Sequence, residues 1–149
     1  MKHSAIVLLG LVAFVSAAAA EGGPEYRLEV RDGRPFKTAD GKAFVLGPLP
    51  FMTGKDFARA VAVKSTNPNQ PGSYNVELLH SATGKAKFRA VADADRARSY
   101  CAVVADTVRF CAAFPPAVKD VYDRAGIIPG LSKADADTLV AEINRSLKK

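Results

Sequence analysis

The stretch SYCAVVADTVRFC, residues 99–111, constrains the fold more than any other part of the chain. Two runs rich in β-branched and aromatic residues, 99–105 and 108–114, flank Asp106-Thr107, which is the pattern of a β-hairpin. The same stretch carries Cys101 and Cys111, both cysteines of the 149-residue chain. In an antiparallel ladder the turn decides which residues face each other. A two-residue turn at Asp106-Thr107 sets Cys101 against Ala112 and Cys111 against Ala102, with the thiols on opposite faces. A three-residue turn over 105–107 sets Cys101 directly opposite Cys111, and only that register permits a bridge. Thr107 resists the positive φ that either turn asks of it, so turn chemistry leaves both registers open.

The expected compartment bears on the choice. Lys2 and His3 precede an apolar run from Ile6 to Val15, and Ser16 to Ala20 are small. This is a secretory signal peptide pattern over residues 1–20, with cleavage expected near Ala18 or Ala20. The other reading is an uncleaved anchor, but the run is shorter than the ~20 apolar residues of a spanning helix. No later stretch is long and apolar enough to cross a membrane. The expected mature chain of roughly 130 residues suits one exported domain with one modest core, periplasmic or secreted. Export places the cysteines in an oxidising compartment, where pairs are bridged. A Cys101–Cys111 disulfide pinning the hairpin is therefore the expectation, with two small buried thiols as the alternative. A zinc site needs about four ligands, and His80 is the one histidine after the leader. The C-x-x-C of a thioredoxin-type pair is absent. No metal or other cofactor is expected.

The formal net charge is +6. The charges are interspersed rather than gathered in a basic block, and export argues against nucleic acid as a partner. Attraction to an anionic envelope surface is one reading; charge for solubility is the preferred one.

Along the rest of the chain, residues 21–43 read as an N-terminal strand or meander extension. Tyr26, Leu28 and Val30 alternate with charges, and Asp32-Gly33 and Asp40-Gly41 are hairpin signals. Residues 44–149 read as the α+β domain. After Thr53, a good N-cap with Asp56 three residues on, the spacing of Phe57, Ala60, Val61 and Lys64 predicts a helix. The Pro- and Asn-rich residues 65–73 form a surface loop. Tyr74, Val76, Leu78 and His80 alternate as a strand, with His80 expected half-exposed at an edge. Residues 83–98 predict a short helix with Phe88 and Val91 inward. A connection follows Pro116. Ile127-Ile128 form a short apolar stretch closed by Pro129-Gly130. Ser132 caps a final helix whose Ala136, Leu139, Val140, Ile143 and Leu147 share one face. Strands and helices alternate without a clean βαβ repeat. The expected fold class is α+β, an antiparallel or mixed sheet with helices packed on one face.

The ordered set MTGKDFARAVAV, YNVELLHSATGKAKF, YCAVVADTVRFCAAFPPAV and GIIPGLSKADADTLVAEIN resembles the head subdomain of the first periplasmic region of SecD, of the SecDF translocation complex. Gly84 to Phe88 match that family's G-A-K-x-F-like helix in type. Ala102 to Asp106 match its hairpin, and Gly130, Ser132, Ala136 and Leu139 match its last element. Thr107 stands where the family has a turn glycine, and Ala112 to Pro115 replace a tighter S-A-P. The resemblance covers roughly residues 44–147. It favours the two-residue turn register, and it implies contact with exported polypeptide. SecD couples proton flow to movement through membrane helices, which this chain lacks after its leader.

No catalytic constellation stands out. There is no G-x-S-x-G. Asp93, Asp95 and Asp106 lack the glycine and glutamate of a calcium loop and read as solvated charges. Both Thr-Gly-Lys triplets lack the upstream glycine of a phosphate loop and read as helix starts. The expectation is a non-catalytic exported module that binds polypeptide or an envelope protein, with Phe110, Phe114 and Tyr122 as candidate contact residues. The alternative is a small structural or envelope-associated protein that reuses the fold.

Overall fold

The structure, a computed structural model, describes residues 23–115 and 126–149. The leader expected over 1–20, the connection after Pro116 and Tyr122 lie outside the described residues. Among the described residues seven strands run in chain order: β1 Glu25–Lys37, β2 Ala43–Leu46, β3 Phe57–Lys64, β4 Tyr74–His80, β5 Ser99–Val104, β6 Thr107–Ala113 and β7 Ile127–Leu131. Helix α1 is Ala82–Ala94 and α2 is Lys133–Ser146. The α+β class holds, and the strands divide into two sheets. One is ordered β2-β1-β5-β6; the other is ordered β3-β4-β7 and is antiparallel throughout. Helix α2 packs on β3 and β4, while α1 packs on β4 and the 3-10 turn Gly54–Asp56.

Alternation along β5 builds two cores. Tyr100, Ala102 and Val104 face the main core, where Tyr26, Phe57, Val76, Leu78, Phe88 and Ile143 are also buried. Cys101 and Val103 face the other way, into a smaller core with Phe36, Leu46 and Val108. The far half of β1 and β2 fold over this second face, which is why all of β5 after Ser99 is buried.

Three local expectations are overturned. Asp32-Gly33 does not end a strand. Leu46 faces both Glu29 and Arg34, so residues 30–33 form a bulge within β1. A Cβ on Gly33 would come within 2.2 Å of the Leu46 carbonyl oxygen, so this glycine serves close backbone approach. The hairpin signal at Asp40-Gly41 is realised: Gly41 has φ 89° and Thr38 N–H donates to Lys42 C=O at 2.9 Å.

The second overturned expectation is the helix after Thr53. Only Gly54–Asp56 winds, with Asp56 Oδ2 accepting from Thr53 N–H at 2.9 Å. From Phe57 the chain is strand β3, paired with β4 from Arg59↔Leu79 to Lys64↔Tyr74. Val61 and Val63 are β-branched and suit the pleat; the helical spacing of Phe57, Ala60 and Val61 was coincidental.

The third concerns only the turn of the cysteine hairpin, which is neither of the two expected, while Cys101 does lie opposite Cys111 as the bridged register requires. The turn residues are Ala105 and Asp106, both at positive φ (49° and 59°), as a type I′ turn requires. Val104 then faces Thr107 and Val103 faces Val108. Arg109 is an extra, bulged residue, beyond which Ala102 faces Phe110 and Cys101 faces Cys111. The bulge reverses the alternation, so that Val108 and Cys111 both reach the second core.

Candidate functional site

The sulfur atoms of Cys101 and Cys111 are bonded, with Cα atoms 4.0 Å apart. That separation marks a non-hydrogen-bonded cross-strand pair. The N–H and C=O of Cys111 therefore turn away from β5, towards the side of β6 on which no strand pairs with this residue among the described residues. Cys101 is fully buried and Cys111 half-buried.

On that side lies an apolar groove of about 330 Å³. Its walls are β6, an edge of one sheet, and β7, an edge of the other. Phe110, Cys111, Ala112 and Ala113 line one wall, Gly126, Ile127 and Pro129 the other, and Phe88 and Tyr100 also contribute. Ile127 is 42% exposed. Leu78 N–H donates to Gly126 C=O at 2.9 Å. At a period of two, the polar groups of Ile127 then point away from β4, towards the groove. Both walls thus carry backbone groups directed at the space between them.

Of the expected contact residues, Phe110 lines the groove and is half-buried. Phe114 does not line it. It is buried and stacked on Tyr100, with ring centroids 4.9 Å apart. Tyr122 lies outside the described residues. The sequence reasoning missed Ile127, although adjacent isoleucines on a strand must face opposite ways, which was the available signal.

His80 is placed otherwise than expected. β4 is the central strand of its sheet, and His80 is 4% exposed. Its ring sits 5.2 Å from Phe88, 5.5 Å from Phe57 and 5.6 Å from Tyr26 between centroids. Neither ring nitrogen has a hydrogen-bond partner. Burial lowers its pKa from 6.5 to about 4, with nearby Lys85 pushing the same way and Asp56 opposing. The hydroxyl of Tyr26, at the centre of the same cluster, is also without a partner, and burial raises its pKa.

The aspartates pair with arginines: Asp93 with Arg96 at 2.7 Å and Asp95 with Arg98 at 3.5 Å. Among the described residues no group of three or more His, Cys, Asp or Glu side chains is placed to hold a metal. A larger depression of about 700 Å³ beside the β1 bulge is lined by Glu29, Arg31, Asp32 and Arg98, charges of both signs at the surface. Val30, Ala97 and Ser99 complete its lining, which is more polar than that of the groove. The first Thr-Gly-Lys triplet opens the 3-10 turn. The second lies in the first turn of α1, which Ser81 caps by accepting from Gly84 N–H at 3.1 Å.

No protein-family model matches the sequence, and no curated protein matches it. Solved structures share its fold, among them two of SecDF. A crystal structure of SecDF in the super-membrane-facing form is 22% identical with TM-score 0.61, over 86% of this chain and 19% of that one. A structure of the membrane component SecDF that enhances protein export is 23% identical with TM-score 0.60, over 84% of this chain and 62% of that one. The chain thus spans under two thirds of either neighbour and has a SecD-like α+β fold. Among the described residues, no helix is long and apolar enough to cross a membrane.

Proposed function

We propose that this protein is a non-catalytic exported module that binds extended polypeptide in the groove between β6 and β7. The groove carries the reading. It is lined mainly by apolar side chains and flanked by two strand edges, so an extended chain gains both apolar burial and backbone hydrogen bonds there. The SecD-like fold supports a link to protein export, because the neighbour of known role is a membrane component that enhances it. The disulfide and the leader-like residues 1–20 support location outside the cytoplasm. On this reading the module supplies contact rather than energy coupling.

The test uses a fluorescent, unfolded apolar peptide and the purified protein. Anisotropy rises on binding, and Ile127→Glu, which sets a charge on the exposed groove wall, weakens binding about tenfold or more. No binding by the parent protein, or equal binding by the variant, contradicts the reading. The second reading is an envelope-associated structural protein, favoured by the net charge of +6. It predicts salt-sensitive retention on anionic envelope fractions and no peptide binding.

A further inference from the structure

A free strand edge presents unpaired N–H and C=O groups on which another chain can add a strand. Among the described residues the two sheets end in four such edges: β2, β6 (apart from Thr107, which pairs with Lys37 of β1), β3 and β7. Three of them offer only short regular runs, enough for a few backbone hydrogen bonds but not for a long strand pair. β2 is only four residues long. β6 is bulged at Arg109. β7 contains Pro129, which has no N–H, and Gly130 at φ 75°. β3 is different. It pairs regularly with β4 from Arg59 to Lys64 and carries no proline or glycine.

At this edge a side chain from α2 stands where a neighbouring strand would. Ala60 N–H donates to Asn144 Oδ1 at 2.8 Å, and Asn144 Nδ2 donates to Ala60 C=O at 3.0 Å. A primary amide offers an acceptor and a donor side by side, as a peptide group does. The two bonds are those that an antiparallel strand residue would make with Ala60. They also fix the parity of the edge. Ala62 and Lys64, two and four residues on, direct their own backbone groups outward.

We propose that Asn144 is an edge guard, an amide that occupies β3 as a strand would and so prevents a second copy of this chain from pairing there. A second copy fits this edge because two β3 strands can pair antiparallel about a two-fold axis, each offering the same groups. Arg59 and Lys64 are both cationic and exposed; they disfavour self-pairing only weakly once salt screens them.

The test is Asn144→Ala, read by sedimentation velocity over a concentration series and by amide exchange at Ala60. The parent protein is expected to stay monomeric with a protected Ala60 amide. The variant is expected to exchange Ala60 about tenfold faster when dilute and to form dimers as concentration rises. Adding Ala62→Pro, which removes an outward N–H at an edge position that tolerates proline, should restore the monomer. A folded Asn144→Ala that stays monomeric at the highest concentration overturns the proposal, as does a dimer that Ala62→Pro leaves intact. Should Asn144→Ala not fold, Asn144→Asp, which keeps only the acceptor, is read by the same two criteria.

Discussion

His80 shows what a single residue's surroundings can do. Its buried imidazole is neutral in the fold, with a pKa of about 4 against 6.5 when free. Below pH 6.5 the unfolded chain takes up a proton that the folded chain does not. Stability is therefore complete above that pH, falls as pH drops towards 4, and levels off below it. The full loss is ~3 kcal/mol. Urea unfolding between pH 7 and 4 should show this slope, and His80→Phe, which suits the aromatic surroundings, should remove it. An unchanged slope in the variant would assign the effect to the carboxylates. Gly84 makes an opposite point. In a helix, Gly→Ala is normally stabilising by about 1 kcal/mol. Here a Cβ would fall 1.9 Å from the Asp56 carbonyl oxygen, where α1 meets the 3-10 turn. Gly84→Ala is expected to cost roughly 2 kcal/mol instead, measured by denaturant midpoint; a stabilised variant would show that the two elements can part freely. Neither environment was legible in the sequence. The alternation of Tyr74 to His80 gave the face of His80 correctly, but not that β3 and β7 would enclose its strand.

At the scale of elements, local signals succeeded where chain neighbours suffice and failed where a distant partner decides. The final helix was readable because its cap and apolar stripe are both local: Ser132 Oγ accepts from Asp135 N–H at 3.1 Å, and Ala136, Leu139 and Ile143 are buried. Residues 57–64 were misread because pairing with β4 overrides a weak helical spacing. The cysteine hairpin lies between these cases. Its strands were plain, but its turn falls on Ala105, an unusual residue for φ 49°. Its register also depends on a bulge at Arg109 that no glycine announces. The double substitution Ala105→Asn with Asp106→Gly should therefore stabilise the protein by about 1 kcal/mol in thermal unfolding, since both residues favour the positive φ already present. A destabilised double variant would mean that the turn has another geometry.

At the scale of the whole molecule, the edges of β6 and β7, from different sheets, line one space, to which Phe88 and Tyr100 also contribute. This groove could not be read from the sequence, because its walls come from segments on either side of the undescribed stretch 116–125 and only the packing brings them together. What the sequence does carry is its composition: the aromatic Phe110 on a β-rich run and the apolar Ile127-Ile128 pair. Amide hydrogen exchange in the presence of saturating unfolded polypeptide tests the account most directly. It predicts slowed exchange at Cys111, Ala113 and Ile127, whose N–H groups face the groove, with little change along β3, which Asn144 guards. Unchanged exchange at these three amides, or protection gathered at β3 instead, would contradict it.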